Sequence, residues 1–291
     1  GEFFHDALDQ LFKSLKERNL QLENLDEASL KNVANDVLEV LYGKPKYLIL
    51  STSNRMNYIR FQLGNTIKRV AWALANQSRR SGMTTVETEV LFGQIASQKG
   101  IDGLVLPLEN QGQLYVRGKI DRVDTMEVAG EQYLSVIDYK SSAHTFDYRD
   151  AYYGLAMQMI TYLDTALMNS ETLIGGKAKP SGAFYLHVKN PFISNDKISD
   201  EENYQEELLK PFKLDGILLE DEAMLRQLDK SLEPTKSSIV YPYRELKNES
   251  LKSSKFVNES EMNALRSHNQ ELFTKAGNKI MAGATDLNPY Y

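Results

Sequence analysis

The sequence predicts an α/β domain in which a helical layer comes first, a mixed β-sheet follows and further helices flank it. Three observations predict this order. Apolar residues recur at helical spacing through the first 80 positions, strand-like segments fill the stretch from 84 to 141, and helical periodicity returns after 149. At 291 residues with 42% hydrophobic content, the chain can bury a sizeable core, as one large domain or two small ones.

Phe4, Leu8, Leu11, Phe12 and Leu15 share one helical face, so Glu2 to Glu17 reads as an amphipathic helix. A second helix runs from about Asp26 to Leu41 and is stopped by Gly43 and Pro45. Asn54 to Arg80 is a long helical pattern carrying the single tryptophan, Trp72, which is expected in the core. Thr84 to Phe92 and Gly103 to Leu108 read as strands. Gln113 to Asp124 and Gln132 to Ser141 form a pair, joined by a hairpin through Val128-Ala-Gly-Glu131. A helix from Arg149 to Leu167 then packs on the sheet. Beyond the Gly175-Gly176 turn comes a strand, Gly182 to Val188, and the polar, acidic stretch from Ile193 to Glu207 reads as a surface loop. Glu220 to Leu232 and Glu259 to Met281 are expected to be helical. The working division is a helical part, 1–82, capping the sheet edge, and a core with its C-terminal helices, 83–291, with one continuous domain as the alternative.

The formal net charge of -6 argues against a generic nucleic-acid binder, because phosphate neutralisation needs Lys and Arg. Any such contact must be local. Arg79-Arg80, Lys68-Arg69 and the group Lys13, Lys16 and Arg18 are candidates, although such runs ordinarily form solvated helix faces. The absence of cysteine excludes disulfides, thiol nucleophiles and cysteine-bound zinc within these residues. No G-x-x-x-x-G-K-[ST] loop is present to cradle a nucleotide. No stretch approaches the roughly 20 apolar residues of a membrane span and no signal peptide is evident, so a soluble cytoplasmic protein is expected. A chain that opens inside a helix without an initiator Met is expected to be a piece of a longer subunit.

The chemistry concentrates between Gly118 and Tyr162. An apolar run ending in Asp138-Tyr-Lys140 places a carboxylate and an ammonium on one face of a strand, because side chains alternate with a period of two. The hairpin lays Asp121 beside them. Two converging carboxylates suit a hard divalent cation, Mg²⁺ or Mn²⁺, of the kind that assists phosphodiester hydrolysis. Either aspartate alone would read as a turn cap at a strand end, and Lys140 alone as a snorkelling surface lysine. Tyr139 faces the other way, so its ring belongs to the core, while its backbone carbonyl is available to a metal. Gln158 and Tyr162, four residues apart, share one helical face. Ser141 and Ser142 lack a nearby base and read as capping or phosphate-contacting groups. His5 alone would read as a helix-surface or packed histidine, and His144, His187 and His268 match no site position.

These residues resemble the PD-(D/E)XK nuclease superfamily, and within it the nuclease domains of the RecB, AddA and AddB type. The strongest likeness is to the AddB subunits, called RexB in lactic-acid bacteria and streptococci. Gly1-Glu-Phe-Phe-His5 is similar to their G-x-x-x-H opening, Glu89-Val-Leu-Phe-Gly93 to their E-x-x-F-G strand, and Tyr153-Gly-Leu-x-x-Gln158-x-x-x-Tyr162 to the helix after the catalytic strand. Gly182 to Pro191, Leu214-Asp-Gly-Ile-Leu-Leu and the closing Asn288-Pro-Tyr add to it. The resemblance implies a restriction-endonuclease-like mixed sheet flanked by helices, with an N-terminal helical cap that brings His5 to the metal. It implies Asp121, Asp138, Lys140, Gln158 and Tyr162 as catalytic residues, and His5, Asp121, Asp138 and the Tyr139 carbonyl as metal ligands. Glu89 would be an outer partner of that site. The implied activity is Mg²⁺-dependent cleavage of single-stranded DNA at duplex ends, on the 5′-ended strand, during double-strand break processing for recombinational repair. The implied partner is the AddA or RexA helicase-nuclease subunit in a heterodimer, with a helicase-like region in the rest of the AddB-type chain. Many such subunits also hold an iron-sulfur cluster, whose cysteines would lie outside both ends of these residues. The competing expectation is a nuclease-like fold kept as a non-catalytic structural or DNA-guiding module of the same complex.

Overall fold

A computed structural model describes residues 1–94, 100–191 and 200–285. Helices α1 (Glu2–Glu17), α2 (Glu27–Tyr42) and α3 (Asn54–Arg80) make the first layer. Asp26 and Ser53 cap α2 and α3 by accepting hydrogen bonds from the Ser29 and Met56 amides, which satisfies donors the first helical turn leaves free. On α1, Phe3, Ala7, Leu8, Leu11 and Leu15 are buried with the α2 stripe of Leu30, Val33, Val37 and Leu41. Trp72 is only half-buried, with the Arg69 guanidinium 5.5 Å from its ring.

Strand β1 (Thr84–Phe92) has the expected bounds. Strands β2 (Val105–Pro107) and β3 (Gln113–Tyr115) form a separate antiparallel pair, and β4 (Gly118–Val128) and β5 (Glu131–Lys140) form the expected hairpin. Its turn residues, Ala129 and Gly130, have φ of 53° and 81°. Two positive φ values give the turn whose twist matches that of the flanking strands. The segment expected as one strand from Gln113 to Asp124 is split between β3 and β4. Gly118 opens β4, where a Cβ would come within 2.6 Å of the Phe92 ring.

The helix expected from Arg149 to Leu167 is broken into α4 (Tyr148–Tyr152) and α5 (Met157–Met168) around Gly154, whose φ is +81°. Next come α6 (Ser170–Ile174) and β6 (Lys179–His187). Within the expected 193–207 loop, residues 193–199 fall outside the described ones, and α7 (Glu201–Leu209) corrects the remainder to helix. Strand β7 (Asp215–Leu219) precedes α8 (Glu222–Leu228). That helix is shorter than expected, since Asp221 caps its start and Asp229 leaves helical geometry at φ -133°. The short strands β8 (Arg244–Glu245), β9 (Leu251–Lys252) and β10 (Phe256–Val257) lead to α9 (Glu259–Met281), opened by a capping box between Asn258 and Glu261. The Asn288-Pro-Tyr segment lies outside the described residues.

The central sheet is mixed, six strands in the order β1-β4-β5-β6-β7-β10. β5 and β6 run parallel, as do β7 and β10, and the other neighbours are antiparallel. Alternation along β5 divides the interior. Tyr133, Ile137 and Tyr139 join the core shared with the N-terminal helices, while Leu134 and Val136 join Met159, Ile160 and Leu163 of α5. The first of these cores crosses position 82, drawing side chains from α1 to α3 and from β5, β6 and α8. Among the described residues, no helix is long and apolar enough to cross a membrane.

Candidate active site

Asp121 is held where β4 and β5 separate. Its Oδ2 accepts a 2.7 Å hydrogen bond from the Tyr139 amide, and its Oδ1 lies 3.0 Å from His5 Nδ1. Helix α1 presents that histidine because a second stripe on it, His5, Asp9, Phe12 and Lys16, faces the sheet edge. Thr88 on β1 donates to Asp9 at 2.7 Å, Lys16 pairs with Glu87 at 3.1 Å, and the Arg122 guanidinium sits 5.5 Å from the Phe12 ring. Two strands thus fix the pitch and rotation of the helix.

Glu89 completes the cluster. It sits between the Thr88–Arg122 and Val90–Ile120 pairs of the β1/β4 ladder, with a φ of 52°. A non-glycine residue in the left-handed region inside a strand is strained, and such strain gathers at functional sites. The result is that ligand atoms of His5, Glu89 and Asp121 lie within 4.8 Å of one another. Glu89 Oε1 is buried without a hydrogen-bond donor, 3.8 Å from His5 Nδ1, and its other oxygen pairs with Lys119. Lys119 was not anticipated. The available signal was its position two residues before Asp121, which places both on one face of β4.

Asp138 and Lys140 lie together as the alternation requires. Lys140 Nζ is 2.5 Å from Asp138 Oδ2 but off the direction of a hydrogen bond, which leaves that buried oxygen without a donor. The ammonium instead donates to Gln158 Oε1 at 3.1 Å, and Gln158 Nε2 donates to the Tyr162 hydroxyl at 2.8 Å. The chain Lys140–Gln158–Tyr162 links the end of β5 to α5. Tyr162 packs edge-on against Phe92, and Tyr139 turns its ring into the core near His5. The six residues expected at the site, and the Tyr139 backbone, therefore occupy one neighbourhood, joined by Glu89 and Lys119.

Electrostatics couple the charges of the site closely, three carboxylates against His5, Lys119 and Lys140. The hydrogen bond to Asp121 and then the nearby Glu89 carboxylate outweigh burial and raise the His5 pKa to about 9. Burial raises Asp138 to about 6, with Lys140 opposing the shift and Asp121 reinforcing it. Burial also pushes the Glu89 carboxyl up, but His5 and Lys119 outweigh it and hold that carboxyl below its ordinary value. Carboxylate oxygens buried without hydrogen-bond donors are costly, and a cation between them relieves the cost. Imidazole with carboxylates suits a small hard or borderline divalent ion, so the donor set fits Mg²⁺ or Mn²⁺.

Most cationic runs do other work. Arg79 donates to the Glu23 and Leu25 carbonyls, Arg80 to Asp229 and Ser231, Lys13 pairs with Asp9, and Arg18 with Asp36. A cleft of about 560 Å³ lies on the opposite side of β4 from the cluster, lined by Phe12, Gln77, Thr85, Arg122, Asp124 and Tyr241 among others.

A strand-borne Asp-x-Lys beside a second strand's aspartate defines a nuclease-type site. The family model of the PD-(D/E)XK nuclease superfamily matches residues 1–290, and the chain belongs to that superfamily. Similar curated proteins are the B subunits of the ATP-dependent helicase/deoxyribonucleases of Enterococcus faecalis, 50% identical over 100% of this chain and 24% of its relative, and of Latilactobacillus sakei, 38% identical over 99% and 25%. The Oceanobacillus iheyensis protein of the same name is 38% identical over 100% of this chain and 25% of its own. The chain spans about a quarter of the length of these relatives.

Proposed function

We propose that the chain is the metal-dependent deoxyribonuclease domain of an AddB-type helicase-nuclease polypeptide, cutting single-stranded DNA as a duplex end is unwound. The observation that carries this is the convergence of His5, Glu89 and Asp121 from three elements on a point beside Asp138, with Glu89 Oε1 and Asp138 Oδ2 both buried without donors. In this reading His5, Asp121, Asp138 and the Tyr139 carbonyl hold Mg²⁺ or Mn²⁺, with Glu89 as a further ligand or a close partner. When bound, the ion supplies Lewis-acid charge and an acidified water.

The chain's own residues do the positioning. Asp121, fixed by the Tyr139 amide and by His5, enters with its lone pairs already aimed. Lys140, held beside Asp138, would reach toward the attacked phosphate and offset charge in the transition state. Gln158, braced by Tyr162, holds the amine on that path. His5 must be neutral to ligate, so the proton its raised pKa retains must leave first. The names of the relatives support a DNA substrate and assembly into an ATP-dependent helicase/deoxyribonuclease of more than one subunit, while a partner of the AddA or RexA type and a cytoplasmic location rest on the AddB resemblance. Action on the 5′-ended strand rests on the AddB resemblance, as does an iron-sulfur cluster held by cysteines beyond these residues.

The test is cleavage of end-labelled single-stranded DNA with Mg²⁺, Mn²⁺ or EDTA, beside Asp138→Ala and Lys140→Ala. Metal-dependent cutting lost in both variants is the expected result. Cutting retained by Asp138→Ala would sink the mechanism, and no cutting by the wild type, alone or with its helicase partner, would favour a non-catalytic module.

A further inference from the structure

Between Lys140 and Gln158 the chain makes an excursion whose two ends are tied together at the site by the 3.1 Å Lys140–Gln158 hydrogen bond. Its first half is anchored. The Phe146 amide donates to Asp215 Oδ2 at 2.7 Å, the Phe146 ring is buried, and the His144 amide donates to His187 Nε2 at 3.1 Å. Its second half carries an exposed group of large rings. Tyr152 is 62% exposed, Tyr153 57% and Leu155 58%. Tyr152 is not loose, since His268 of α9 stacks on one of its faces at 5.2 Å and 10° between planes, and contacts the Tyr152 carbonyl oxygen at 2.9 Å. Tyr153 meets Tyr152 edge-on at 5.1 Å.

A clustered apolar patch held rigidly in water calls for a ligand. Here the chemistry of the ligand follows from its surroundings. Arg149, 80% exposed on its side chain, is accompanied by Asp147 and Asp150, so the patch has little net charge with which to grip phosphate. What it offers is flat aromatic surface, which takes the π-face of any base without reading its identity. Tyr152 is six residues from Gln158, a separation of about 20 Å at most for an extended chain. The rings therefore lie no further from the Lys140–Gln158 pair than a few nucleotides of an extended single strand can span.

We propose that Tyr152 and Tyr153, backed by His268, form a stacking platform for unpaired bases of the strand that enters the site, resting on the single-stranded DNA reading above. The platform gives sequence-tolerant grip that does not depend on a basic groove. His268 fixes the Tyr152 ring, which stays 62% exposed. Gly154, in the left-handed region, turns the chain directly after the platform into α5.

Binding of a labelled oligothymidylate to the full 291-residue chain in EDTA reads the platform without cutting, and cleavage in Mg²⁺ reads the nuclease site separately. Tyr152→Ala is expected to weaken binding about 5-fold or more. Tyr152→Phe and Tyr152→Trp should retain it, the added indole being quenched when the oligonucleotide binds. The salt dependence should keep the same slope, because no phosphate contact is lost. A melting temperature unchanged in Tyr152→Ala excludes misfolding as the cause. Equal affinity in wild type and Tyr152→Ala overturns the platform and leaves the nuclease reading to the cleavage assay. So does unchanged affinity accompanied by lost association with the helicase partner, which would make the patch a protein interface. Absence of binding by the wild-type chain counts against it equally.

Discussion

Strand β4 shows two fates for charged residues placed side by side. Arg122 and Asp124 point to one face and Asp121 to the other, as the period of two requires. Arg122 is bound to Asp124 through Nε at 2.9 Å and a terminal nitrogen at 2.6 Å, and Thr85 donates to the same carboxylate at 2.8 Å. That buried group is neutral as a unit and satisfied within the fold. Across the strand, the carboxylates of Glu89, Asp121 and Asp138 crowd together with His5, Lys119 and Lys140, and two of their buried oxygens accept no hydrogen bond. The difference teaches which buried charges serve the structure and which are kept for a ligand. A self-satisfied pair stabilises or specifies, whereas an incomplete cluster is tolerated only where something else completes it.

The comparison can be broken most forcefully on the incomplete side. Asp121→Ala is expected to lower the cleavage rate by ~10⁴-fold, equivalent to about 5.5 kcal/mol, because it removes a ligand and the anchor of His5 together. A rate within tenfold of wild type in single-turnover assays would remove Asp121 from the chemistry. On the satisfied side, Asp124→Ala should cost about 3–5 kcal/mol of stability in denaturant unfolding, since it strands the buried Arg122 charge. Replacing both partners, Arg122→Met with Asp124→Leu, should cost much less than the single change. A double variant as unstable as Asp124→Ala would mean that the pair does more than satisfy itself.

Smaller effects sharpen the contrast. Gln158→Leu should slow cleavage about tenfold, or about 1.4 kcal/mol, with an unchanged melting temperature, because it frees Lys140 without touching a ligand. Asp138→Asn should raise the stability of the metal-free chain by about 1 kcal/mol while abolishing cutting, the exchange expected where a site stores unfavourable charge. Loss of stability in that variant would show that the carboxylate is structural after all. Without metal, the His5 pair contributes stability that is fully present below pH 6.5 and lost as pH rises through about 9, since its folded pKa is the raised one. A melting temperature that is flat from pH 6.5 to 9 in wild type and in His5→Ala alike would contradict that pairing.

Much of this was legible in the sequence because period-two alternation and turn chemistry are local. Asp138 and Lys140 had to share a face, Tyr139 had to turn inward, and Ala129-Gly130 had to close a hairpin. Gln158 and Tyr162 fell on one helical face for the same reason. His5 carried no such signal, and its approach to Asp121 depends on the stripe Asp9, Phe12 and Lys16 finding β1 and β4. Glu89 could be placed on a strand, but its positive φ arises from tertiary packing that no propensity records. The break at Gly154 was hidden because apolar spacing continues on both sides of it, and α7 was hidden because its polar sequence gives a weak helical pattern. Arg79 and Arg80 looked free to meet a nucleic acid, whereas the fold supplies them with carbonyls and Asp229.

The central claim is that the incomplete cluster is completed by a divalent cation, and calorimetric titration of Mn²⁺ into the metal-free chain tests it most directly. With His5 at about 9 and Asp138 at about 6, binding must expel protons, so affinity should rise with pH. The expected slope of log affinity is about two below pH 6 and about one from there toward 9. Asp138→Ala should bind far more weakly, and the proton released on binding should appear as a buffer-dependent enthalpy. Affinity that is independent of pH, or equal in wild type and Asp138→Ala, would contradict the account.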